Sequence, residues 1–358
     1  MSGNAGAGPG AGAAPAFIVL TGFLGSGKTT LLRDFLDLPE AADTAIIVNE
    51  AGEIGLDGAV LADGGGDVRM SMLANGCVCC QGASDLAVAV EALLRVDRPQ
   101  AQGPLKRIIL ETSGLSKPGP VLRSLSVLAE HRMPVSILST YDAARGAALA
   151  AFPEALAQWA GAQALIVTKA DLLAADAGDA AVRAAGAVNP LARVIAGGPR
   201  GRLLLEAIAA AGPHAAGFEP PEPGPGEASA HPHIGIFLVQ PAGEPTYEAL
   251  AAWLDNLAGL LGDRLLRLKG LVRTAEGDLP LLVQSVGTLF SMPRPFPAAR
   301  LDRGPFIVVI ARDTSLAELR GVTPDLDATI TTTATSAFGG RKVGVGARPA
   351  AEGVTAPG

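Results

Sequence analysis

Short apolar runs alternate with helix-like stretches along the first two hundred residues of the chain. Helix-like spacing of apolar positions occurs at 29–38, 84–95, 120–130 and 145–160, and the apolar runs cover 17–21, 45–49, 107–110, 135–139 and 164–168. Strands of a parallel sheet are buried on both faces, so they consist of nearly continuous apolar residues, and a crossover helix joins one to the next. The alternation therefore predicts an α/β domain with a mainly parallel, doubly wound sheet.

The composition changes after residue 211. Residues 212–232 are rich in proline and glycine and offer little that a core could bury, which is typical of a linker. Apolar runs at 234–240, 265–272, 279–284 and 306–311, with a helix pattern at 247–261, predict a smaller α+β domain. The predicted organisation is a disordered leader at 1–16, the α/β domain at 17–211, the linker at 212–232, the second domain at 233–323 and a disordered tail at 324–358.

The charge balance argues against two classes of partner. The chain has 28 basic and 35 acidic residues, a formal net charge of −7, and no run of basic residues. It therefore gives no electrostatic reason to expect nucleic acid or an anionic membrane as a partner. No apolar run reaches the roughly 18 residues that a membrane-spanning helix requires, and the leader lacks the features of a secretory signal. We expect a cytoplasmic protein.

The strongest chemical signal is a phosphate-binding loop. The segment GFLGSGKT, from Gly22 to Thr29, follows an apolar run and precedes a helix pattern. Its glycines allow backbone N–H groups to turn toward phosphate oxygens, and the helix N-terminus adds partial positive charge. Lys28 is placed to reach the β- and γ-phosphates, and the Thr29 hydroxyl is suited to bind Mg²⁺. The context of strand, loop and helix makes a chance match a poor explanation.

A second signal lies at the end of the run at 107–110. Glu111 stands where P-loop proteins carry an acidic residue that assists Mg²⁺ binding, although Asp is the more familiar residue there. Gly114 follows three residues later and is placed to donate its N–H to a γ-phosphate. We predict that Lys28, Thr29-bound Mg²⁺ and Glu111 stabilise the charge that develops during phosphoryl transfer.

The sequence TKAD, residues 168–171, indicates which base is bound. It follows the apolar residues at 164–167, so Lys169 can stack its stem on a purine while Asp171 accepts hydrogen bonds from the guanine N1–H and amino group. Adenine lacks that pair of donors. Thr168 stands where Asn is usual, which removes one orienting amide. The pattern predicts GTP rather than ATP as the nucleotide.

All three cysteines of the chain, Cys77, Cys79 and Cys80, fall within four consecutive positions. Their number and crowding argue against a disulfide framework, whereas thiolates favour Zn²⁺ and similar soft ions. The fourth position of a tetrahedral site is open to water, a histidine, Glu50 or Glu53. A buried cluster of small apolar side chains and a redox pair are the alternatives.

The motifs together resemble those of the CobW family of P-loop metal-trafficking GTPases. The matching stretches, in family order from 17 to about 310, are GFLGSGKTTLL, IIVNEAGEIGLD, NGCVCC, ETSGLSKP, TKAD and LLRLKGLV. The resemblance assigns nucleotide binding to Gly25, Ser26, Gly27, Lys28, Thr29, Thr30, Lys169 and Asp171, and metal binding to the three cysteines. It implies a metallochaperone that uses GTP, Mg²⁺ and zinc or cobalt, with a client metalloprotein as its partner.

This chain departs from the resemblance near the linker. Many members of the family have a long histidine-rich stretch there, whereas here only His231, Pro232 and His233 remain. This weakens a role in metal storage but leaves transfer through the cysteines unaffected.

The cysteines lie in sequence between the P-loop and the γ-phosphate sensor, so the hypothesis is a switch in which nucleotide state alters the metal geometry. Two rival functions remain: a GTP-dependent binding switch with a purely structural zinc, and an ATPase or kinase with incidental cysteines.

Overall fold

The first sheet holds seven parallel strands among the residues that the structure describes. The computed structural model describes residues 14–48, 69–72, 83–95, 104–211, 233–296, 304–322 and 326–333. The strands are β1 (Ala16–Thr21), β2 (Thr44–Val48), β3 (Arg69–Met72), β4 (Arg107–Glu111), β5 (Val135–Asp142), β6 (Ala164–Thr168) and β7 (Arg193–Ile195). Their order across the sheet is β3-β2-β4-β1-β5-β6-β7. The parallel α/β prediction is confirmed, because every pairing in this sheet is parallel.

Helices connect these strands and cover the sheet. They are α1 (Lys28–Leu36), α2 (Ala83–Arg95), α3 (Pro118–Ser124), α4 (Gly146–Leu149), α5 (Pro153–Gly161), α6 (Ala175–Val188) and α7 (Arg200–Ala211). The single helix predicted at 145–160 is wrong. Pro153 has no N–H to donate and is the first residue of α5, so the chain breaks into α4 and α5 around Phe152.

The second sheet is antiparallel, which confirms the smaller α+β unit. Its strands are β8 (Ile234–Pro241), β9 (Leu265–Thr274), β10 (Gly277–Val286), β11 (Leu289–Phe290), β12 (Arg294–Pro295), β13 (Phe306–Arg312) and β14 (Ala328–Thr332), with helices α8 (Tyr247–Leu261) and α9 (Leu316–Arg320). Strand order is β11-β10-β9-β13-β8-β14, and β12 pairs with β10. The Thr246 hydroxyl caps α8 by accepting from Ala249 N at 3.1 Å. Trp253 and Leu257 on the inner face of α8 join the core of this sheet.

The disordered tail predicted for 324–358 is wrong over β14. Ala328 to Thr332 pair antiparallel with β8, from Pro241 to Phe237, and Ile330 joins the core. The segment reads ATITT, and its threonines are β-branched residues that favour strands even though they are polar. Composition gave the wrong prediction because β14 belongs to a longer stretch that is rich in threonine, alanine and glycine.

One apolar cluster includes residues from both sheets. Its members include Phe17, Leu156 and Trp159 from the first unit and Leu266 and Phe306 from the second. The two sheets therefore share a core, and burial of that core favours a fixed contact between them.

A buried arginine adds a polar contact to this interface. The Arg267 guanidinium on β9 donates to the carbonyl oxygen of Gly161 at the end of α5. Burial lowers the pKa of Arg267 to about 10, so the group is still charged at neutral pH. A buried charge is tolerated only where it is hydrogen-bonded, so this contact holds β9 against the end of α5.

Among the described helices, none is long and apolar enough to cross a membrane.

Candidate functional site

The glycine-rich loop runs from the end of β1 to the start of α1, at the carboxyl edge of the first sheet. Gly27 has φ +90° and directly precedes Lys28, the first residue of α1, so the backbone turns into the helix in a conformation that favours glycine. At Gly22 a Cβ atom would lie 1.9 Å from the Thr140 hydroxyl oxygen, so only glycine fits against β5. The loop therefore presents backbone N–H groups at a helix N-terminus, the usual geometry of a phosphate site.

Lys28 and Ser26 secure the loop from inside. The Lys28 ammonium donates to the carbonyl oxygen of Gly22 at 2.7 Å, and its side chain is buried. The Ser26 hydroxyl lies 2.6 Å from the Thr140 hydroxyl on β5. Thr30 is half-buried in the first turn of α1. An ammonium held within the loop is already at the place where phosphate charge would need to be balanced.

Thr29 and Glu111 meet although 82 positions separate them in the sequence. The Thr29 hydroxyl donates to Glu111 Oε1 at 2.7 Å, and Glu111 is only 5% exposed. The contact forms because β4 lies beside β1, with Leu20 opposite Glu111 in the register. A hydroxyl and a carboxylate side by side next to a phosphate loop are oxygen donors of the kind that Mg²⁺ prefers. The two residues therefore fit the predicted magnesium site.

Gly114 touches the phosphate loop directly. A Cβ atom at Gly114 would lie 2.7 Å from the backbone nitrogen of Leu24 and 2.8 Å from its Cα. Only glycine allows the loop after β4 to approach so closely. Gln158 of α5 is fully buried, and its amide donates to the carbonyls of Gly114 at 2.9 Å and Ser116 at 3.0 Å. The Gly114 loop is therefore hydrogen-bonded directly to α5.

Lys169 lies beside the phosphate loop, after β6. Its ammonium donates to the carbonyl oxygen of Gly25 at 2.6 Å, and its backbone has a left-handed φ of +58°. Asp171 is exposed in a short 3₁₀ turn next to it. The Thr168 hydroxyl donates to the Ser26 carbonyl oxygen at 2.8 Å. Thr168, which stands where Asn is usual, thus links this loop to the phosphate loop.

Asp142 is a site residue that the sequence reasoning missed. Its fully buried carboxylate accepts from the Lys169 ammonium at 2.8 Å and from Arg145 Nε at 2.8 Å. Arg145 also donates to the carbonyl oxygen of Leu24 at 2.9 Å. Burial acts to raise the pKa of Asp142, but the hydrogen bonds and charges of Lys169 and Arg145 outweigh it, so the pKa lies below its ordinary value. The available signal was its position at the carboxyl end of β5.

The predicted ligands of the soft metal, Cys77, Cys79, Cys80, Glu50 and Glu53, lie outside the described residues. The strand that precedes the cysteines in the chain is described. Met72, the last residue of β3, pairs with Val48 of β2, and Val48 pairs with Glu111 of β4. The chain therefore leaves β3 toward the cysteines at the same edge of the sheet as Glu111.

A second acidic group was not predicted. Within the described residues, Glu91, Glu130 and His131 bring three potential ligand atoms within 4.8 Å of one another. Glu91 already forms an ion pair with Arg95, with 2.6 Å between Glu91 Oε2 and Arg95 Nη2. We assign no metal to this group.

Comparison with known families agrees with this arrangement. A family model described as the CobW/HypB/UreG nucleotide-binding domain matches residues 16–196, about half of the chain. The chain belongs to this family. A second model, the C-terminal domain of the cobalamin synthesis protein cobW, matches residues 234–322. The resemblance to CobW proteins predicted from the motifs is confirmed.

Named relatives of this CobW-family chain match it over limited stretches. The zinc chaperone CobW of Pseudomonas aeruginosa is 40% identical over 113 residues, which cover 30% of this chain and 29% of that protein. The zinc chaperone YjiA of Escherichia coli is 32% identical over 162 residues, 44% of this chain and 50% of that protein. The zinc-regulated GTPase metalloprotein activator 1 of Schizosaccharomyces pombe is 36% identical over 110 residues, 30% of this chain and 26% of that protein. The matches thus span half or less of each relative.

A solved structure supports the fold over most of the chain. The Zn(II)-bound YjiA GTPase from E. coli superposes with a TM-score of 0.62 and 22% identity, covering 86% of this chain and 97% of that one. The CobW-family fold therefore includes both sheets.

Replacing Asp142 by Asn should destabilise the fold, because Lys169 and Arg145 would lose their buried charged partner. Asp142→Asn is expected to lower the free energy of unfolding at pH 7 by about 1–3 kcal/mol, measured by urea denaturation. Since the pKa of Asp142 is lowered in the folded state, its contribution is complete above the ordinary aspartate pKa. The difference should shrink as the pH falls below that value.

Asp255→Asn is the matched control, because Asp255 is exposed on α8. Equal unfolding free energies for Asp142→Asn and the unmodified chain at pH 7 would show that the buried carboxylate is not a structural anchor.

Proposed function

We propose that this chain binds and hydrolyses GTP and couples its nucleotide state to the binding of zinc and its delivery to a client metalloprotein. One observation carries the proposal. The phosphate loop follows β1, Glu111 is the last residue of β4, and the chain continues from β3 toward the cysteines. The register of the strands places these three ends at one edge of the sheet. A change at the γ-phosphate would therefore act at the edge of the sheet from which the chain continues, after β3, to the cysteines.

Phosphoryl transfer would rest on positioning and charge. Lys28 is already held in the loop, and Thr29 and Glu111 would hold Mg²⁺. Bound Mg²⁺ supplies positive charge to the phosphate oxygens as negative charge develops on them. Gly114 stands against the loop at Leu24, where its N–H would report a γ-phosphate. The described part of the site holds no obvious base for the attacking water, so slow intrinsic turnover is the expected consequence.

The residues that follow β6 would bind the base and select guanine. Lys169 is fixed between Gly25 and Asp142, while Asp171 is exposed and available to a base. A carboxylate there can accept hydrogen bonds from both donors on the edge of guanine, the N1–H and the amino group. Adenine has no matching pair of donors.

Zinc is the favoured metal for two reasons. Three crowded cysteines provide thiolates, which suit zinc and do not suit Mg²⁺ or Ca²⁺. The relatives that match the chain are named zinc chaperones or a zinc-regulated metalloprotein activator. The name of the activator also supports a metalloprotein as the client.

The second sheet would sense the nucleotide through α5. Gln158 of this helix holds the carbonyls of Gly114 and Ser116, and Gly161 at its end accepts from Arg267 of β9. A displacement of the Gly114 loop would therefore pull on a helix that is hydrogen-bonded to the second sheet. We assign client recognition to that sheet, since it contains none of the nucleotide motifs.

Replacing Asp171 by Asn should change the base preference. The amide of the substituted side chain would place an N–H donor opposite the guanine amino group, which is itself a donor. Xanthine has a carbonyl oxygen at C2, which would accept a hydrogen bond from that amide. We expect at least a tenfold loss in affinity for GTP and a gain for xanthosine triphosphate, measured by competition against a fluorescent nucleotide. Asp176→Asn, at an exposed position five residues later, is the control. Unchanged selectivity in Asp171→Asn would contradict the assignment of the base site.

Zinc delivery should keep pace with hydrolysis. The zinc-loaded protein would be mixed with GTP, and Mg²⁺ would then start the reaction in the presence of a chromogenic zinc chelator. Zinc is expected to reach the chelator at the rate of phosphate release. It should remain bound when a non-hydrolysable GTP analogue replaces GTP.

The variant Cys77→Ser/Cys79→Ser/Cys80→Ser should retain hydrolysis and lose zinc delivery. Zinc that stays bound throughout turnover would favour the structural-zinc switch instead. Equal hydrolysis of ATP and GTP would favour the ATPase alternative.

A further inference from the structure

Arg145 lies over the phosphate loop, at the position where a side chain of Gly25 would otherwise be. A Cβ atom at Gly25 would lie 3.2 Å from Arg145 Nη2 and 3.9 Å from both the guanidinium carbon and Nη1. Gly25 also has a left-handed φ of +67°, which glycine adopts at little cost. The guanidinium therefore covers the bare backbone of Gly25, and a side chain at that position would displace it.

The same part of the loop is approached by the predicted γ-phosphate sensor. Arg145 Nη2 donates to the carbonyl oxygen of Leu24 at 2.9 Å. A Cβ atom at Gly114 would lie 2.7 Å from the backbone nitrogen of Leu24. Arg145 and Gly114 thus contact one residue of the loop from two distant segments of the chain. The guanidinium is therefore at the end of the loop where the terminal phosphates of a nucleotide would lie.

Asp142 orients this arginine without using up its donors. The fully buried carboxylate of Asp142 accepts from Arg145 Nε at 2.8 Å. Within the described part of the chain, the guanidinium makes this hydrogen bond and the one to Leu24, which use two of its five N–H groups. The side chain of Arg145 is 45% exposed, so the remaining N–H groups are accessible to a ligand.

Of the two hydrogen bonds of the guanidinium, the one to Leu24 is the easier to replace. The Leu24 carbonyl is neutral, whereas phosphate oxygens are charged and accept stronger hydrogen bonds from a guanidinium. Asp142 is charged and buried, so losing its partner would be costly. The planar fork of Arg145 can therefore keep Nε on Asp142 while its Nη groups turn to phosphate.

We propose that Arg145 is a catalytic residue of GTP hydrolysis, whose Nη groups donate to phosphate oxygens as the reaction proceeds. The bond between the γ-phosphorus and the oxygen that bridges it to the β-phosphate breaks, and its electron pair stays on that oxygen. The oxygen of water forms the new bond to phosphorus and keeps one proton, while the other proton is released to solvent. A guanidinium beside these oxygens stabilises the negative charge that develops on them.

This role rests on the proposed function and adds to it a residue that lies outside the recognised motifs. Arg145 supplies charge and not a base for the attacking water. Slow intrinsic turnover therefore remains the expectation.

Replacing Arg145 by Gln removes the charge and the fork. Phosphate release is measured on the full chain, saturated with GTP and Mg²⁺, and GDP affinity is measured in parallel. We expect Arg145→Gln to hydrolyse GTP about a hundredfold more slowly. Its GDP affinity should be nearly unchanged, because an interaction made mainly in the transition state lowers kcat rather than ground-state binding. It should also fail to bind aluminium fluoride with GDP, a mimic of the transferred phosphoryl group that the unmodified chain should bind.

Two further variants keep the test specific. Arg145→Lys keeps a positive charge beside Asp142, but its single ammonium cannot also reach the phosphates. It should therefore fold normally and still hydrolyse GTP slowly. Arg183→Gln removes a positive charge at an exposed position of α6, and it should hydrolyse GTP at the rate of the unmodified chain.

Unmodified rates of hydrolysis in Arg145→Gln or Arg145→Lys would overturn the proposal. A loss of GDP affinity in Arg145→Gln as large as its loss of rate would also overturn it, because Arg145 would then only hold the loop. An unmodified chain that does not hydrolyse GTP would instead overturn the proposed function, and this role with it.

Discussion

Neighbouring parallel strands end at one edge of the first sheet, and every group at the nucleotide site depends on that arrangement. β1 leads into the phosphate loop, β4 ends at Glu111, β5 ends at Asp142 and β6 leads to Lys169. Parallel strands must align their carboxyl ends, so residues more than a hundred positions apart become neighbours without any local sequence signal. The buried aliphatic core beneath them fixes the strands, and the loops inherit that rigidity.

Three cations hold the phosphate loop together through its backbone carbonyls. Lys28, Arg145 and Lys169 donate to the carbonyls of Gly22, Leu24 and Gly25 respectively. Buried Asp142 balances Arg145 and Lys169 and keeps them close to the loop. A phosphate group offers stronger acceptors than peptide carbonyls. On nucleotide binding, these cations would exchange their contacts with the loop carbonyls for contacts with phosphate oxygens. Because the cations already lie at the loop, little rearrangement would be needed, as expected for a pre-organised site.

The sequence predicted those parts of the site that lie in contiguous motifs, and it failed where contacts are made across the fold. The loop from Gly22 to Thr29, and Glu111 with Gly114, are recognisable because their chemistry requires fixed spacing. Asp142 has no such motif, and its role depends on Lys169 approaching from the next strand. Local rules failed in a simpler way at Pro153, which divides a predicted helix, and in β14, where threonines that read as disordered form a strand.

Coupling between nucleotide and zinc is the central claim, and it is tested most directly by the zinc affinity of one protein in two nucleotide states. Chelator competition would be performed with GDP and then with a non-hydrolysable GTP analogue plus Mg²⁺, on the unmodified chain and on Cys77→Ser/Cys79→Ser/Cys80→Ser. The account predicts a difference of at least tenfold between the two states, about 1.4 kcal/mol of coupling, which disappears in the variant. Equal zinc affinity with both nucleotides would contradict it and leave a GTPase whose metal is structural.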